Sequence, residues 1–92
     1  MKAIITTKKF EKDLKKIAKN DKNVLKNLKI VLNKLQNNQE LDKKYKDHKL
    51  IGEWHFYREL HIKNDLLLIY QSYEEEVCLY RIGSHSELFK KF

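Results

Sequence analysis

The four histidines of the chain, His48, His55, His61 and His85, all lie in its second half, and two of them stand four residues from a complementary group. His61 precedes Asp65, and His85 follows Arg81 across Gly83, whose missing side chain permits a sharp turn. Imidazole gives and takes protons near neutral pH, whereas a guanidinium stays charged and needs an anion when set among apolar residues. Arg81 sits in Val77-Cys78-Leu79-Tyr80-Arg81-Ile82, so its anion is either a carboxylate of the protein or a phosphate of a ligand. An arginine beside two or three histidines and a carboxylate has the parts that RNA cleavage without a metal requires. A base takes the 2′-hydroxyl proton, fixed positive charge stabilises the phosphorane, and an acid protonates the departing 5′-oxygen. From composition alone, scattered surface histidines are the more ordinary reading, and a turn aspartate such as Asp65 is by itself unremarkable.

Other chemistry is disfavoured. The lone Cys78 cannot form an internal disulfide, no Cys/His pairing has zinc-site spacing, and His61-x-x-x-Asp65 spans a strand end and a turn rather than one helix face. No metal and no cofactor are expected, since two glycines cannot build the glycine-rich phosphate loops. The longest apolar run, residues 66–70, is too short to cross a bilayer, so a cytoplasmic protein without a membrane partner is the expectation.

The elements that must position these groups are legible from periodicity. Residues 2–6 read as a strand, and Thr7 is a plausible N-cap for a helix carrying Phe10, Leu14, Ile17 and Ala18 at helical spacing. Asn20 and Asp21 interrupt it before a second stripe of Val24, Leu25, Leu28, Val31, Leu32 and Leu35, which Asn37 and Asn38 end. After a polar, irregular stretch the period becomes two, with strands over residues 54–62, 66–73 and 77–82. The reading is a single α+β domain over residues 1–92, ordered β-α-α-β-β-β, with a helical hairpin on one face of an antiparallel sheet and the other face open. Residues 84–89 add a terminal helical turn. Within the strand Tyr57-Arg58-Glu59-Leu60-His61-Ile62, alternation sends Leu60 and Ile62 to the core and Tyr57, Glu59 and His61 to the open face. Arg58, on the core side, is expected to be structural, without Glu59 as its partner. Trp54 reads as a packing residue and His55 as an exposed strand histidine.

Charge is divided as sharply as period. Residues 1–40 carry eleven lysines against four acids, hence the whole net charge of +7, while residues 41–92 are neutral. The excess is more than a salt-laced helix face needs and suits an anionic surface such as ribosomal RNA.

Three stretches in register resemble the YafQ branch of the RelE-type bacterial toxins, which are mRNA interferases paired with antitoxins. They are Tyr45-Lys46-Asp47-His48 with Leu50 and Gly52, then Tyr57-Arg58-Glu59-Leu60-His61-Ile62-x-x-Asp65 running into Leu67-Leu68-Ile69-Tyr70, and Arg81-Ile82-Gly83-Ser84-His85-Ser86-Glu87-Leu88-Phe89. The resemblance implies an endoribonuclease acting on ribosome-engaged mRNA, with His48, His61, Asp65, Arg81, His85 and Phe89 lining the active site. On this reading one of His48, His61 or Asp65 is the base, Arg81 braces the phosphate and His85 is the acid. Phe89 either stacks on a base or anchors the C-terminal tail. Lys12, Lys15, Lys16, Lys19 and Lys46 are assigned to RNA or ribosome contact. Some relatives have tryptophan where this chain has Leu66, which puts any shared sequence preference in question. The implied partners are mRNA, the ribosome and a cognate acidic antitoxin, with operator DNA reached only through that antitoxin. The alternative is a non-catalytic basic RNA- or ribosome-binding module.

Replacing Lys12, Lys15, Lys16 and Lys19 together is expected to weaken ribosome association without unfolding the chain and to flatten its salt dependence. An unchanged salt slope in a sedimentation assay would count against a docking role for this helix.

Overall fold

A computed structural model describes residues 1–89 of the chain. Five strands form one sheet in the order β1-β5-β4-β3-β2: β1 (Ala3–Thr6), β2 (His48–Lys49), β3 (Arg58–Lys63), β4 (Leu66–Ser72) and β5 (Glu76–Gly83). β2 to β5 pair antiparallel, while β1 lies parallel to β5, a pairing that strand periodicity does not reveal. Helices α1 (Lys8–Asn20) and α2 (Asn23–Gln36) join β1 to the rest of the sheet, and α3 (His85–Leu88) closes the described chain.

Local chemistry accounts for the boundaries. The Thr7 hydroxyl accepts from the Phe10 backbone N–H, capping α1, and donates to the Tyr80 carbonyl, which ties the start of α1 to β5. Asp21 caps the next turn by accepting from the Asn23 backbone N–H, and Asn38 ends the helical pair in a left-handed conformation at φ 54°. Phe10, Val24, Leu28 and Val31 bury against Leu60, Ile62, Leu68, Tyr70, Val77, Leu79 and Ile82. Both helices therefore cover one face, as the two periodicities predict. Leu25, part of the expected apolar stripe, instead faces solvent.

The opposite face is less open than the pattern implies. Leu67 and Ile69 point to it and are covered by Leu88 of α3, with Leu50, Tyr57, Tyr80 and Phe89 packed around them. The strand expected from residue 54 begins at Arg58, because Gly52–Trp54 forms a 3₁₀ turn that lets Trp54 pack on Tyr57, Tyr80 and Phe89. The expected irregular stretch contains a second 3₁₀ turn, Lys43–Tyr45, and β2. Gly83 serves close approach rather than a special backbone angle, since a Cβ there would meet Glu87 Oε1 at 3.1 Å and Leu88 Cδ2 at 3.2 Å. α3 is pinned at this point by a capping box in which the Glu87 carboxylate accepts from the Ser84 backbone N–H and the Ser84 hydroxyl accepts from that of Glu87.

Asp47 organises the approach to β2. Its Oδ1 accepts from the Tyr70 hydroxyl at 2.5 Å and its carboxylate takes two Arg58 N–H groups at 3.2 and 3.3 Å. Arg58 is thus structural as expected, with a partner eleven residues back. Burial, and next the Asp47 carboxylate, push the Tyr70 phenol far up from its ordinary value.

Removing Asp47 strands the buried Tyr70 hydroxyl, so Asp47→Ala should lower unfolding stability by about 1–3 kcal/mol. Tyr70→Phe in the same chain should recover part of that loss, measured as urea midpoints in a double-mutant cycle. The Ser84 N–H holds Glu87 below its ordinary 4.5. The contribution of the α3 cap is therefore complete above that value and is lost as pH falls through the lower folded value. Exchange protection of the α3 amides should decline on acidification in that window and be indifferent to pH between 6 and 8.

Candidate active site

The site grows from β3 on the face away from α1 and α2. Glu59 and His61 alternate with Leu60 and Ile62, so they share that face, and Glu59 lies directly across from His48 of β2. Glu59 is the buried charged residue among those described, at 4% exposure. Its Oε1 lies 3.4 Å from His48 Nε2 and 3.9 Å from His61 Nε2. A carboxylate removed from water needs such partners, so the two imidazoles are what make its burial tolerable. His48 Nδ1 is 2.7 Å from the Lys46 carbonyl, and since a carbonyl only accepts, this nitrogen carries hydrogen and leaves Nε2 toward Glu59.

The His61 ring stands 6.0 Å from that of His85, centroid to centroid. His85 opens α3, and Asp65, in the turn between β3 and β4, holds it twice. Asp65 Oδ1 accepts from the His85 backbone N–H at 3.2 Å and lies 3.1 Å from Nδ1, which leaves Nε2 as the ring atom facing outward. The backbone N–H, then the ring, hold Asp65 below its ordinary carboxylate value. Asp65 therefore orients His85 rather than His61, its neighbour in the sequence. Phe89 lies 6.2 Å from the His85 ring and meets Trp54 edge-on at 5.6 Å, so it anchors the end of α3 beside the imidazoles. Tyr57 and Tyr80, 4.7 Å apart, extend this aromatic floor, and burial followed by Tyr80 pushes the Tyr57 phenol up.

Five of the six expected site residues, His48, His61, Asp65, His85 and Phe89, thus lie in one contiguous run. Arg81 is arranged differently. Its Nε and Nη2 donate to Asp13 of α1 at 2.7 and 3.0 Å, and Asp13 also accepts from the Ile82 backbone N–H at 3.2 Å. Of the two anions open to it, the guanidinium has a protein carboxylate. Asp13, and to a lesser extent Tyr80 and Glu87, raise its pKa against the opposing effect of burial. Lys12, Lys15, Lys16 and Lys19 are exposed on α1, with Lys16 Nζ 3.6 Å from Glu87, while Lys46 takes a left-handed turn at φ 49° immediately before Asp47 and His48. Leu66 points into the helix-side core, so it offers nothing to a base. His55 is exposed, as expected, but on a turn where its ring lies 3.9 Å from Phe56.

Sequence reasoning missed Glu59, Asp13 and the aromatic floor as parts of the site. Alternation with His61 placed Glu59 on the right face, but a two-residue β2 carries no periodicity that would pair it with His48. Asp13 lies 68 residues from Arg81 and has no local signal.

Residues 2–90 match the family described as bacterial toxin of type II toxin-antitoxin system, YafQ. A putative toxin YafQ from Haemophilus influenzae is 42% identical over 57 residues, 58% of this chain and 56% of that protein. The mRNA interferase toxin YafQ of Escherichia coli is 38% identical over 55 residues, 60% of each, so the match spans less than two thirds of these curated relatives. Among solved structures, a metal-bound toxin from Helicobacter pylori superimposes with a TM-score of 0.89 at 50% identity, covering 97% of this chain and 100% of that one. YafQ in the Escherichia coli DinJ-YafQ toxin-antitoxin complex gives a TM-score of 0.82 at 34% identity, covering 96% and 97%. The family match from residue 2 to residue 90, joined to this fold, shows that the chain belongs to the YafQ family of bacterial type II toxins.

Proposed function

We propose that this chain is an endoribonuclease, an mRNA interferase that cuts message on the ribosome in the cytoplasm by acid–base catalysis without a metal and is held inactive by a cognate acidic antitoxin. The observation that carries the reading is the unbroken run His48, Glu59, His61, His85, Asp65 on the face opposite the lysine-rich helices. The activity named for the Escherichia coli relative and the antitoxin bound to YafQ in its solved complex support it.

The arrangement suits in-line transfer. His61, positioned through Glu59, takes the proton of the 2′-hydroxyl as that oxygen attacks phosphorus. His85 presents Nε2, with Nδ1 engaged by Asp65, and gives its proton to the 5′-oxygen as the P–O5′ bond breaks. The products are a 2′,3′-cyclic phosphate and a 5′-hydroxyl. Arg81 supplies fixed positive charge to the phosphorane, with two of its five N–H donors committed to Asp13. His48 completes the electrostatic surround of Glu59. Phe89 stands where an unstacked base could rest against it.

His85→Gln keeps an amide N–H able to donate to Asp65 but not a titratable acid, so cleavage of a translated message, read by primer extension, should fall by about 10²–10⁴-fold. Wild-type activity in this variant would overturn the assignment. Glu59→Gln removes the carboxylate that lies between His48 and His61 and should lower kcat for cleavage with KM little changed, whereas a merely structural role would lower the melting temperature and leave the folded protein cleaving at the wild-type rate. Protein treated with EDTA and freed of the chelator before it is added to a translated message should cleave at the untreated rate, and a loss that an added divalent metal restores would show that the chemistry needs a metal.

A further inference from the structure

β2 covers only Arg58 and Glu59 of β3, so the edge of β3 from His61 onward is left beside the 3₁₀ turn Lys43–Tyr45 rather than another strand. Between them lies a cavity of about 400 Å³ whose lining includes Asn27 of α2, Lys44, Tyr45, Lys46, His61 and Lys63. Its size falls within the roughly 300–1,000 Å³ of small-ligand sites. Among the described residues its wall contains three lysines and no carboxylate, whereas three other polar clefts each contain at least two carboxylates. The Lys44 ammonium is held 5.3 Å over the Tyr45 ring, and Lys46 is the residue whose carbonyl orients His48. His61 is among its lining residues, and Asn27 of α2 and Ile62 place the cavity at the edge of β3.

We propose that this cavity is a nucleotide subsite for the RNA strand next to the scissile bond, taking a backbone phosphate between Lys44 and Lys46 with the nucleoside against Tyr45 and Asn27. The assignment rests on the RNA-cleaving reading and adds where the strand is held. Lys63 is the reserve of the site: it is ion-paired with Asp21, which lies outside the cavity wall and caps α2 through its other oxygen. Two charge changes should therefore act in opposite directions. Lys44→Ala removes an exposed cation with no structural partner lost but the Tyr45 ring. Asp21→Asn keeps an oxygen for the Asn23 N–H while releasing Lys63 toward the strand.

The test is the salt dependence of binding to an oligoribonucleotide made uncleavable by 2′-O-methylation, with melting curves to verify that each variant folds. Single-stranded sites lose about 0.7 in log–log salt slope for each phosphate contact removed. Lys44→Ala should flatten the slope by about that amount and weaken binding several-fold, and Asp21→Asn should steepen it and tighten binding. Unchanged slopes in both variants, equal displacement in one direction, or no binding by the wild type would overturn the subsite. If the opposite shifts appear but unmodified message is not cut, the cavity stands as an RNA-binding site and the nuclease reading fails. If message is cut while both variants bind as wild type, the subsite fails and the nuclease reading stands.

Discussion

The site depends on one buried carboxylate. Glu59 reaches the far face of the sheet in a position shielded from water, and an ionised carboxyl there is tolerable only with hydrogen-bearing, cationic or potentially cationic partners close by. His48 and His61 are those partners, one from across the strand pair and one from two residues along the same strand. The requirement fixes much else. It explains why so short a strand as β2 is worth forming, and why the turn before it is tied by Asp47 to Arg58 and Tyr70 in the helix-side core. The same sheet that buries its apolar residues under α1 and α2 thereby holds imidazoles in fixed positions on its other side.

α3 makes a second, independent anchor. Gly83 lets it approach the end of β5, Ser84 and Glu87 cap it, Leu88 seals it onto Leu67 and Ile69, and Asp65 reaches from the β3–β4 turn to hold His85. The imidazoles thus ride on the antiparallel core of the sheet and on a short helix braced by a packed aromatic floor. Functional groups need support of this kind, since small displacements of the reacting atoms cost large factors in rate. Arg81 occupies a different mechanical setting, in an ion pair that joins β5 to α1, so the cation and the basic helix are physically connected.

Much of this was legible from the residues because the signals were periodic or local. Alternation in 57–62 separated Leu60 and Ile62 from His61, Thr7 announced the start of α1, and the change of period separated helices from strands. What escaped had no such signal. The parallel pairing of β1 with β5 and the Asp13–Arg81 ion pair join residues far apart in the chain, and the pairing of Glu59 with His48 runs through a strand of two residues. Asp65 shows the limit of spacing as evidence: it stands four residues from His61, yet the backbone N–H and ring it holds belong to His85, twenty residues on. The division of charge remains informative, because the neutral second part contains the imidazole site while α1 packs on the other face of the sheet, its Lys16 reaching Glu87 of α3.

In the proposed reaction these imidazoles transfer protons and the 2′-hydroxyl of RNA is the nucleophile. The most direct measurement is the chemical identity of the new 3′ ends when purified protein acts on a translated message, compared with a message bearing a single 2′-deoxynucleotide at the cut site. The proposed reaction leaves 2′,3′-cyclic phosphate ends on the first and does not cleave the second at that position. Fragments ending in a 3′-hydroxyl, or cleavage that proceeds without the 2′-hydroxyl, would contradict it.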